Sequence, residues 1–307
     1  FTAAGLLSPL AEAETAGFEV AALGWRSLPL WQHIGRTLAE AGHAGPDGSG
    51  LVRRAGSLLL VHPADRPSAQ RVLDRLGAAP AHGLPLPRAL DARELAETEP
   101  DLAPGLLAWS LKGEGQVHAP AMLAALAADA VGVRWHWGRR VLEVQPRQLL
   151  LDNGERLQAD WAVDTRGLGA RTCLPLRGVR GELLWLHAPG VRLQRPLRLL
   201  HARHRVYLVP RPHDLIVVGA SEVESEDRSA VSLATAVELL TAAHSVIPAL
   251  AEARVVHLET NLRPALPDHR PLVETAPGLL RVNGLFRHGW LLAPALAEDA
   301  LRRAGLL

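Results

Sequence analysis

The chain has 307 residues, 33 of them Lys or Arg and 32 Asp or Glu, and its formal net charge at pH 7 is +1. No basic run with interleaved aromatic side chains occurs, so we predict no nucleic-acid or membrane partner; the apolar runs, such as 58–61, are also far shorter than a membrane span. The length suffices for about two domains, and the single cysteine, Cys173, excludes an internal disulfide and favours a reducing, cytoplasmic location.

The first part of the chain predicts helices and a strand. Residues 17–40 have apolar positions at helical spacing, and the segment AGHAGPDGSG that follows predicts an exposed loop. Residues 57–62 predict a strand. Asp91 followed three residues later by Glu94 predicts the start of a short helix, because the two side chains can cap the first turn.

A further helix and a series of strands are predicted after residue 119. The helix at 120–131 has Pro120 in its first turn and Gly132 as its stop. Asn153 and Gly154 predict a tight hairpin. The strands predicted around that hairpin are VRWHW, RVLEV, LLLD, RLQAD and WAVDTRG, within 133–167. We then predict several strands at 179–222, a helix at 230–247 and a strand at 254–259.

Two arginines, Arg263 and Arg287, lie within an apolar run punctuated by Pro and Gly, at 261–294. A guanidinium is always charged, and its planar fork of donors matches a carboxylate. Two such groups near buried strand ends indicate a pocket for a small acid. The alternative is a pair of ordinary surface or salt-bridged arginines, because charged residues usually stay exposed.

Four further stretches have a familiar order: TAAGLLSP at 2–9, WAVDTRGLGAR at 161–171, RGVRGELLWL at 177–186 and YLVPRPHDLIVVGAS at 207–221. Together with 261–294, they make the chain resemble the D-amino-acid oxidase superfamily of FAD-dependent oxidoreductases, and within it the glycine oxidases of thiamine biosynthesis. No single stretch is decisive. The resemblance nevertheless extends over nearly the whole chain.

The resemblance implies an α/β fold in which a glutathione-reductase-type FAD-binding domain contains an inserted α+β substrate domain with a mixed or antiparallel sheet. The expected FAD-binding domain comprises 1–50, 116–178 and 268–307. The expected substrate-binding domain comprises 51–115 and 179–267.

One departure from the family concerns the beginning of the chain. Family members start with a strand, a GxGxxG turn and a helix, followed by an acidic residue for the ribose, and none of these is present in the sequence. The only methionine is Met122. We therefore expect an N-terminally truncated FAD-binding domain, either a fragment or a chain from which an upstream piece was removed, that lacks the backbone donors for the pyrophosphate.

On the cofactor side, small residues after residue 2 would let the backbone approach a flat ring closely. On residues alone, a plain helix or turn start explains them equally well. The resemblance implies FAD contacts from Ala3, Ala4, Gly5, Leu6, Val141, Arg166, Gly167, His288, Gly289, Trp290, Leu291 and Leu292. The N–H groups of 287–292 would face the flavin pyrimidine edge and stabilise negative charge on the reduced ring.

On the substrate side, the resemblance implies that Arg263 holds the amino-acid carboxylate, that the Tyr207 hydroxyl shares it, and that Arg287 lies near the substrate or supports its site. A lone tyrosine is otherwise most often a half-buried core residue. Glu222 is a departure, since glycine oxidases have an apolar side chain at the matching position. It would bind the substrate ammonium, narrow the pocket, or point to solvent like its acidic neighbours.

Other chemistries have less support. His201 and His204 could contact a metal, but no carboxylate or thiol pattern completes a site, so we predict no metal. The sequence contains no G-x-S-x-G nucleophile elbow and no P-loop, which argues against a hydrolase or kinase.

We therefore predict a flavin-dependent amine oxidase that transfers a hydride from the substrate Cα to flavin N5, with oxygen as acceptor and hydrogen peroxide as product. The first alternative is a related oxidase acting on sarcosine, a D-amino acid or an aminomethyl group of tRNA, although a near-neutral charge argues against tRNA. The second is a cofactor-free remnant without redox activity. A homo-oligomer is compatible with the sequence.

Overall fold

The computed structural model describes residues 2–201 and 205–307. Helical elements and strands alternate along the described chain. The helices are α1 (Pro9–Ala16), α2 (Phe18–Glu40), α3 (Arg66–Leu76), α4 (Ala92–Thr98), α5 (Ala119–Asp129), α6 (Leu233–Val246) and α7 (Gly289–Arg303). None of the helices in these two ranges is both long and apolar enough to cross a membrane.

The strands form four sheets. Their bounds are β1 (Leu6–Leu7), β2 (Val52–Arg53), β3 (Ser57–Val61), β4 (Arg88–Leu90), β5 (Leu107–Leu111), β6 (Gly115–Val117), β7 (Val141–Gln145), β8 (Gln148–Leu151), β9 (Arg156–Gln158), β10 (Ala162–Asp164), β11 (Arg177–His187), β12 (Leu197–Leu200), β13 (Arg205–Arg211), β14 (Leu215–Gly219), β15 (Arg254–Ala265), β16 (Leu272–Ala276) and β17 (Leu279–Asn283). The largest sheet has the order β15-β11-β14-β13-β12-β3-β5-β4, and three-stranded sheets have the orders β1-β6-β2, β10-β17-β16 and β7-β8-β9.

The eight-stranded sheet is mixed, with β12 and β3 pairing in parallel and the other neighbours antiparallel. One of its faces packs against α6 in a core that includes Leu184, Leu208, Val218 and Leu239. On the other face, Val209 packs against Ala4. The sheet therefore supports the loop that precedes α1.

Helix α2 packs closely against α7. Its Leu28 and Trp31 are buried, and a Cβ at Gly24 would lie 2.8 Å from Cγ of Leu291. The Trp31 indole N–H donates to the Trp290 carbonyl at 2.7 Å. This packing fixes the direction from which the N-terminus of α7 approaches the centre of the molecule.

Helix α1 is capped from a distant part of the chain. Its N-cap residue, Ser8, forms no side-chain cap, and the Glu114 carboxylate instead accepts from the Leu10 N–H at 2.8 Å and the Ala11 N–H at 3.2 Å. The Ser57 hydroxyl donates to the same carboxylate at 2.5 Å. Burial raises the pKa of Glu114 to about 7, so this cap is a titratable group.

Most local predictions are confirmed. The helix predicted at 17–40 is α2, and the one predicted at 120–131 is α5. Asp91 and Glu94 form the capping box at the start of α4. Gly154 has φ of +84° in the turn between β8 and β9. These features depend on residues that are close together in sequence, so local sequence patterns are sufficient to predict them.

The strand predicted at VRWHW is wrong. In the structure 133–137 contains no strand, and Trp135 and Trp137 stack on each other at 4.9 Å while remaining 47% and 76% exposed. A β-strand needs a hydrogen-bonding partner, and no described strand pairs with this segment. WAVDTRG is a strand only at Ala162–Asp164, where Val163 is 51% exposed.

The predicted division into two domains remains a prediction. The eight-stranded sheet draws its strands from residues 57–111 and 177–265, whereas β2 pairs with β6 in the sheet that also contains β1. His204 lies outside the described residues. Within them, no group of three or more His, Cys, Asp or Glu side chains could hold a metal ion.

Candidate active site

A cavity of about 1180 Å³ lies between the loop before α1, the β11–β15 side of the large sheet and the N-terminus of α7. It brings together most of the predicted site residues. These are Ala3, Ala4, Gly5, Leu6, Tyr207, Glu222, Arg263, Arg287, His288, Gly289, Trp290 and Leu291. Residues that are far apart in sequence therefore share one concave surface.

Arg263 lies on β15, opposite Val179 of β11. Its guanidinium donates to the Arg180 carbonyl at 3.2 Å and to the Ser221 carbonyl at 3.0 Å. No carboxylate of the described residues forms an ion pair with it, and burial lowers its pKa. Because an arginine stays protonated despite such a shift, Arg263 presents an uncompensated positive charge to the cavity.

Tyr207 lies on β13, opposite Gly219 of β14. A Cβ at Gly219 would lie 2.5 Å from the Tyr207 hydroxyl oxygen, so the phenol ring lies directly over the glycine. Burial raises the pKa of Tyr207. The hydroxyl is therefore protonated at neutral pH, and within the described ranges it donates to no other group of the protein.

Arg287 differs from Arg263 in having two acidic partners. Its guanidinium contacts the Glu12 carboxylate at 2.9 Å and the Glu222 carboxylate at 3.0 Å. Burial alone would lower the pKa of Arg287, but these two charges outweigh it and raise the pKa. The Glu222 side chain is 44% exposed and also lines the cavity, so it points neither wholly to solvent nor into the core.

Glu12 joins several cations on the cavity wall. It also contacts Arg198, and its carboxylate lies 3.5 Å from Nδ1 of His288. Burial would raise the pKa of Glu12, but the charges of Arg198 and Arg287 hold it well below its usual range. Burial lowers the pKa of His288 to about 4, so its imidazole is neutral at pH 7.

Guanidinium and carboxylate groups are intermixed on the cavity wall. Three guanidinium groups, those of Arg198, Arg263 and Arg287, face the two carboxylates of Glu12 and Glu222. The neutral imidazole adds nothing at pH 7. Arg205, Glu182 and Glu238 also line the cavity, so its wall carries four guanidinium groups and four carboxylates.

The loop before α1 contributes a small-residue wall to the cavity, formed by Ala3, Ala4 and Gly5. Gly5 has φ of +63°, and a Cβ there would lie 2.2 Å from the Val117 carbonyl oxygen, so a larger residue would not fit. The Arg211 guanidinium donates to the Ala4 carbonyl from behind the loop. Burial lowers the pKa of Arg211 to about 10, which still leaves it charged at neutral pH.

Helix α7 directs its N-terminus at the same cavity. Within the described residues no side chain caps it, and a Cβ at Gly289 would meet no atom within 4 Å. Free N–H groups and the helix dipole favour negative charge at such an end. The cavity thus combines a small-residue wall with a cluster of backbone donors.

Four predicted cofactor residues do not line this cavity: Val141, Arg166, Gly167 and Leu292. Arg166 forms an ion pair with Asp164 at 2.8 Å and donates to the Val141 carbonyl at 3.2 Å. The Gly167 carbonyl accepts from Asn283. Arg166 and Gly167 organise the turn after β10, and the contact of all four residues with FAD stays a prediction.

The sequence reasoning missed Glu12, Arg198 and Arg211. Arg198 interrupts the otherwise apolar strand β12, and Arg211 is the last residue of β13. Glu12 is buried in α1, and no local sequence pattern distinguishes it from a solvent-facing acidic residue.

The sequence matches the DAO family of FAD-dependent oxidoreductases over residues 1–303. The chain belongs to this family. A Rhizobium etli protein that carries the name thiamine biosynthesis oxidoreductase ThiO is 36% identical over 304 residues, which are 98% of this chain and 83% of that protein.

Solved structures agree on the fold. Glycine oxidase from Geobacillus kaustophilus superimposes with a TM-score of 0.81 and 26% identity over 98% of this chain and 84% of that one. Glycine oxidase from Bacillus cereus, at 20% identity, has a TM-score of 0.83 over 99% and 84% of the two chains and supports the fold alone. The predicted fold class is confirmed.

FAD is the cofactor of this family, and the cavity has two features that suit its flavin ring. A flat ring needs a wall without protruding side chains, which the backbone around Gly5 supplies. A ring that gains negative charge on reduction needs donors, which the uncapped N-terminus of α7 supplies. Both features lie on the same cavity as Arg263 and Tyr207.

Proposed function

We propose that the protein oxidises the amine of glycine or of another small amino acid, with oxygen as electron acceptor, in thiamine biosynthesis. The 36% identical Rhizobium protein supports the pathway through its name. The glycine oxidase of Geobacillus kaustophilus, whose structure matches over 98% of this chain, supports the substrate. Overall, glycine, water and oxygen would give glyoxylate, ammonia and hydrogen peroxide.

The observation that carries this proposal is the unpaired guanidinium of Arg263 on the cavity wall. An arginine that faces a cavity without a counter-ion is suited to an anionic ligand, and its remaining N–H donors match a carboxylate.

The protein contributes mainly orientation. Arg263 and the Tyr207 hydroxyl would hold the carboxylate and so direct the substrate Cα towards the small-residue wall. FAD, when bound there, supplies the hydride acceptor. Correct positioning alone can lower a reaction barrier by about 7 kcal/mol or more. No strong general base is required if the amine binds in its neutral form.

The test is a substrate profile of the purified, FAD-loaded protein with glycine, sarcosine, D-alanine, D-proline and iminodiacetate. Hydrogen peroxide and the oxo acid are both quantified, and ammonia is measured where the substrate releases it. We expect the highest kcat/KM for glycine or sarcosine, with one molecule of hydrogen peroxide formed for each molecule of oxo acid. A preference for D-proline or iminodiacetate would reassign the substrate within the family. Absence of turnover with every amine, in a protein that binds FAD, would favour a non-catalytic role.

A further inference from the structure

A buried ion pair lies next to the proposed substrate arginine, on strand β11. The Arg180 guanidinium donates to Glu182 Oε1 through Nη2 at 2.6 Å and through Nε at 3.1 Å. The residues are only 5% and 1% exposed. A buried ion pair often contributes little net stability compared with apolar residues, so its presence calls for another explanation.

Glu182 connects β11 to the segment that leads into α6. Its carboxylate accepts from the Ser232 N–H at 2.8 Å, from the Ser221 hydroxyl at 3.0 Å and from the Thr235 hydroxyl. Arg180 extends the connection by donating to the Ala230 carbonyl at 2.7 Å. Burial would raise the pKa of Glu182, but the hydrogen bonds from Thr235 and Arg180 lower it, so the group is an anion at neutral pH.

The same structural unit holds Arg263. The two carbonyl oxygens that accept from its guanidinium belong to Arg180 and Ser221, one on each side of the Glu182 connection. The backbone is also fixed there, because the Ser221 N–H donates to the Glu182 carbonyl at 3.1 Å and the Glu182 N–H donates to the Ser221 hydroxyl at 3.0 Å. Movement of the 221–235 segment would displace the Ser221 carbonyl and leave the Arg180 carbonyl in place.

We propose that Glu182 is a positioning residue for the substrate carboxylate: it fixes the Arg180 and Ser221 carbonyls, and through them the direction of the Arg263 guanidinium. The inference rests on the proposed role of Arg263. An arginine that must stay available to a ligand cannot be fixed by a carboxylate of its own, because that carboxylate would compete with the substrate. Two carbonyls can fix it without neutralising its charge, provided that something else holds the carbonyls.

The test uses the FAD-loaded protein and acetate, a small carboxylate with no amine to oxidise. The Kd of acetate is measured from the change that it causes in the flavin absorbance spectrum. Glu182→Gln, Arg263→Ala and the double variant form a cycle. Glu99→Gln is the matched control, because Glu99 is also 1% exposed and also pairs with an arginine, Arg195 at 2.9 Å, but does not line the cavity.

We expect Glu182→Gln to raise the Kd of acetate about tenfold, and to raise KM for glycine more than it lowers kcat. In the Arg263→Ala background the same change should have no further effect. Glu99→Gln should leave the Kd unchanged even if it lowers the melting temperature equally. If Glu182→Gln does not fold, Ser221→Ala removes only the hydroxyl that joins this residue to Glu182, and it should raise the Kd several-fold.

Two results would overturn the inference while leaving the proposed function intact. One is an unchanged acetate Kd in Glu182→Gln, or in Ser221→Ala where that variant is used, when Arg263→Ala weakens acetate. The other is an equal effect of Glu182→Gln with and without Arg263. If Arg263→Ala itself leaves acetate affinity unchanged, the substrate role of Arg263 fails, and the positioning role fails with it.

Discussion

Gly181 lies directly against the guanidinium of Arg263, where a Cβ at position 181 would be 2.4 Å from Cζ of the arginine. Real side chains do not approach so closely, so any residue other than glycine would displace the guanidinium. The backbone at Gly181 does not have a positive φ. The requirement for glycine therefore arises from Arg263 and not from the conformation of the strand.

Gly181→Ala should lower kcat/KM for amino-acid substrates by up to about 100-fold, because a shift of about 1 Å in a positioning group can cost that much. The measurement is steady-state kinetics with glycine. Gly50→Ala is the control, since a Cβ there meets only the Val52 carbonyl oxygen at 3.4 Å and φ is not positive. Unchanged kinetics in Gly181→Ala would mean that the guanidinium can move without consequence.

Arg263→Ala should lower kcat/KM for amino acids by roughly 30-fold to several thousand-fold, because removal of one member of a buried charge pair costs about 2 to 5 kcal/mol. Arg263→Lys should recover only part of the loss, since an ammonium cannot reproduce the two-pronged geometry. Kinetics with glycine measure both effects.

A simple amine without a carboxylate is the control substrate for Arg263→Ala, and its kcat/KM should be nearly unchanged. This control separates substrate binding from general damage to the protein. An Arg263→Ala variant that stays folded, retains its flavin and oxidises amino acids like the parent would contradict the carboxylate assignment.

Glu222→Leu should change the order of preference among glycine, sarcosine and larger D-amino acids by more than about threefold, because it removes a charge from the cavity wall and leaves Arg287 with Glu12 alone. Ratios of kcat/KM across the substrates measure this. Glu224→Leu is the control, since Glu224 pairs with Arg177 outside the cavity and is 61% exposed. Equal profiles for parent and Glu222→Leu would place Glu222 outside substrate selection.

The stability of Glu114→Gln relative to the parent should rise as pH increases from about 4.5 to about 7. The pKa of Glu114 is raised from 4.5 to about 7, so over this range the unfolded parent loses a proton that the folded parent keeps, and folding becomes less favourable. Glutamine does not titrate. Over this pH range the difference in unfolding free energy between variant and parent should change by about 3 kcal/mol at most. Urea unfolding at several pH values measures it, and a pH-independent difference would contradict the raised pKa.

The helices and the capping signals could be predicted because they depend on residues within a few positions of each other. The box formed by Asp91 and Glu94 is one example. Tyr207 and Arg263 were predicted to lie together only through the family resemblance, since no periodicity links strands that are over 50 residues apart. The structure places both on one cavity.

The charge cluster could not be predicted, because its members have no local signal. Glu12 and Arg287 are separated by 275 positions, and only the tertiary fold brings them to 2.9 Å. The prediction of a strand at 133–137 was wrong for a related reason. Residue preferences favour an extended backbone, but a strand also needs a neighbouring strand with which to form hydrogen bonds.

The small-residue wall and the acidic centre of the charge cluster belong to one short stretch of chain, since Ala4 and Glu12 are separated by only eight positions. A change that shifts this stretch would alter cofactor affinity and substrate choice together. Attempts to redesign the substrate range of this enzyme should therefore vary both ends of the stretch in the same library, because variants selected at one end alone would inherit an unintended change at the other.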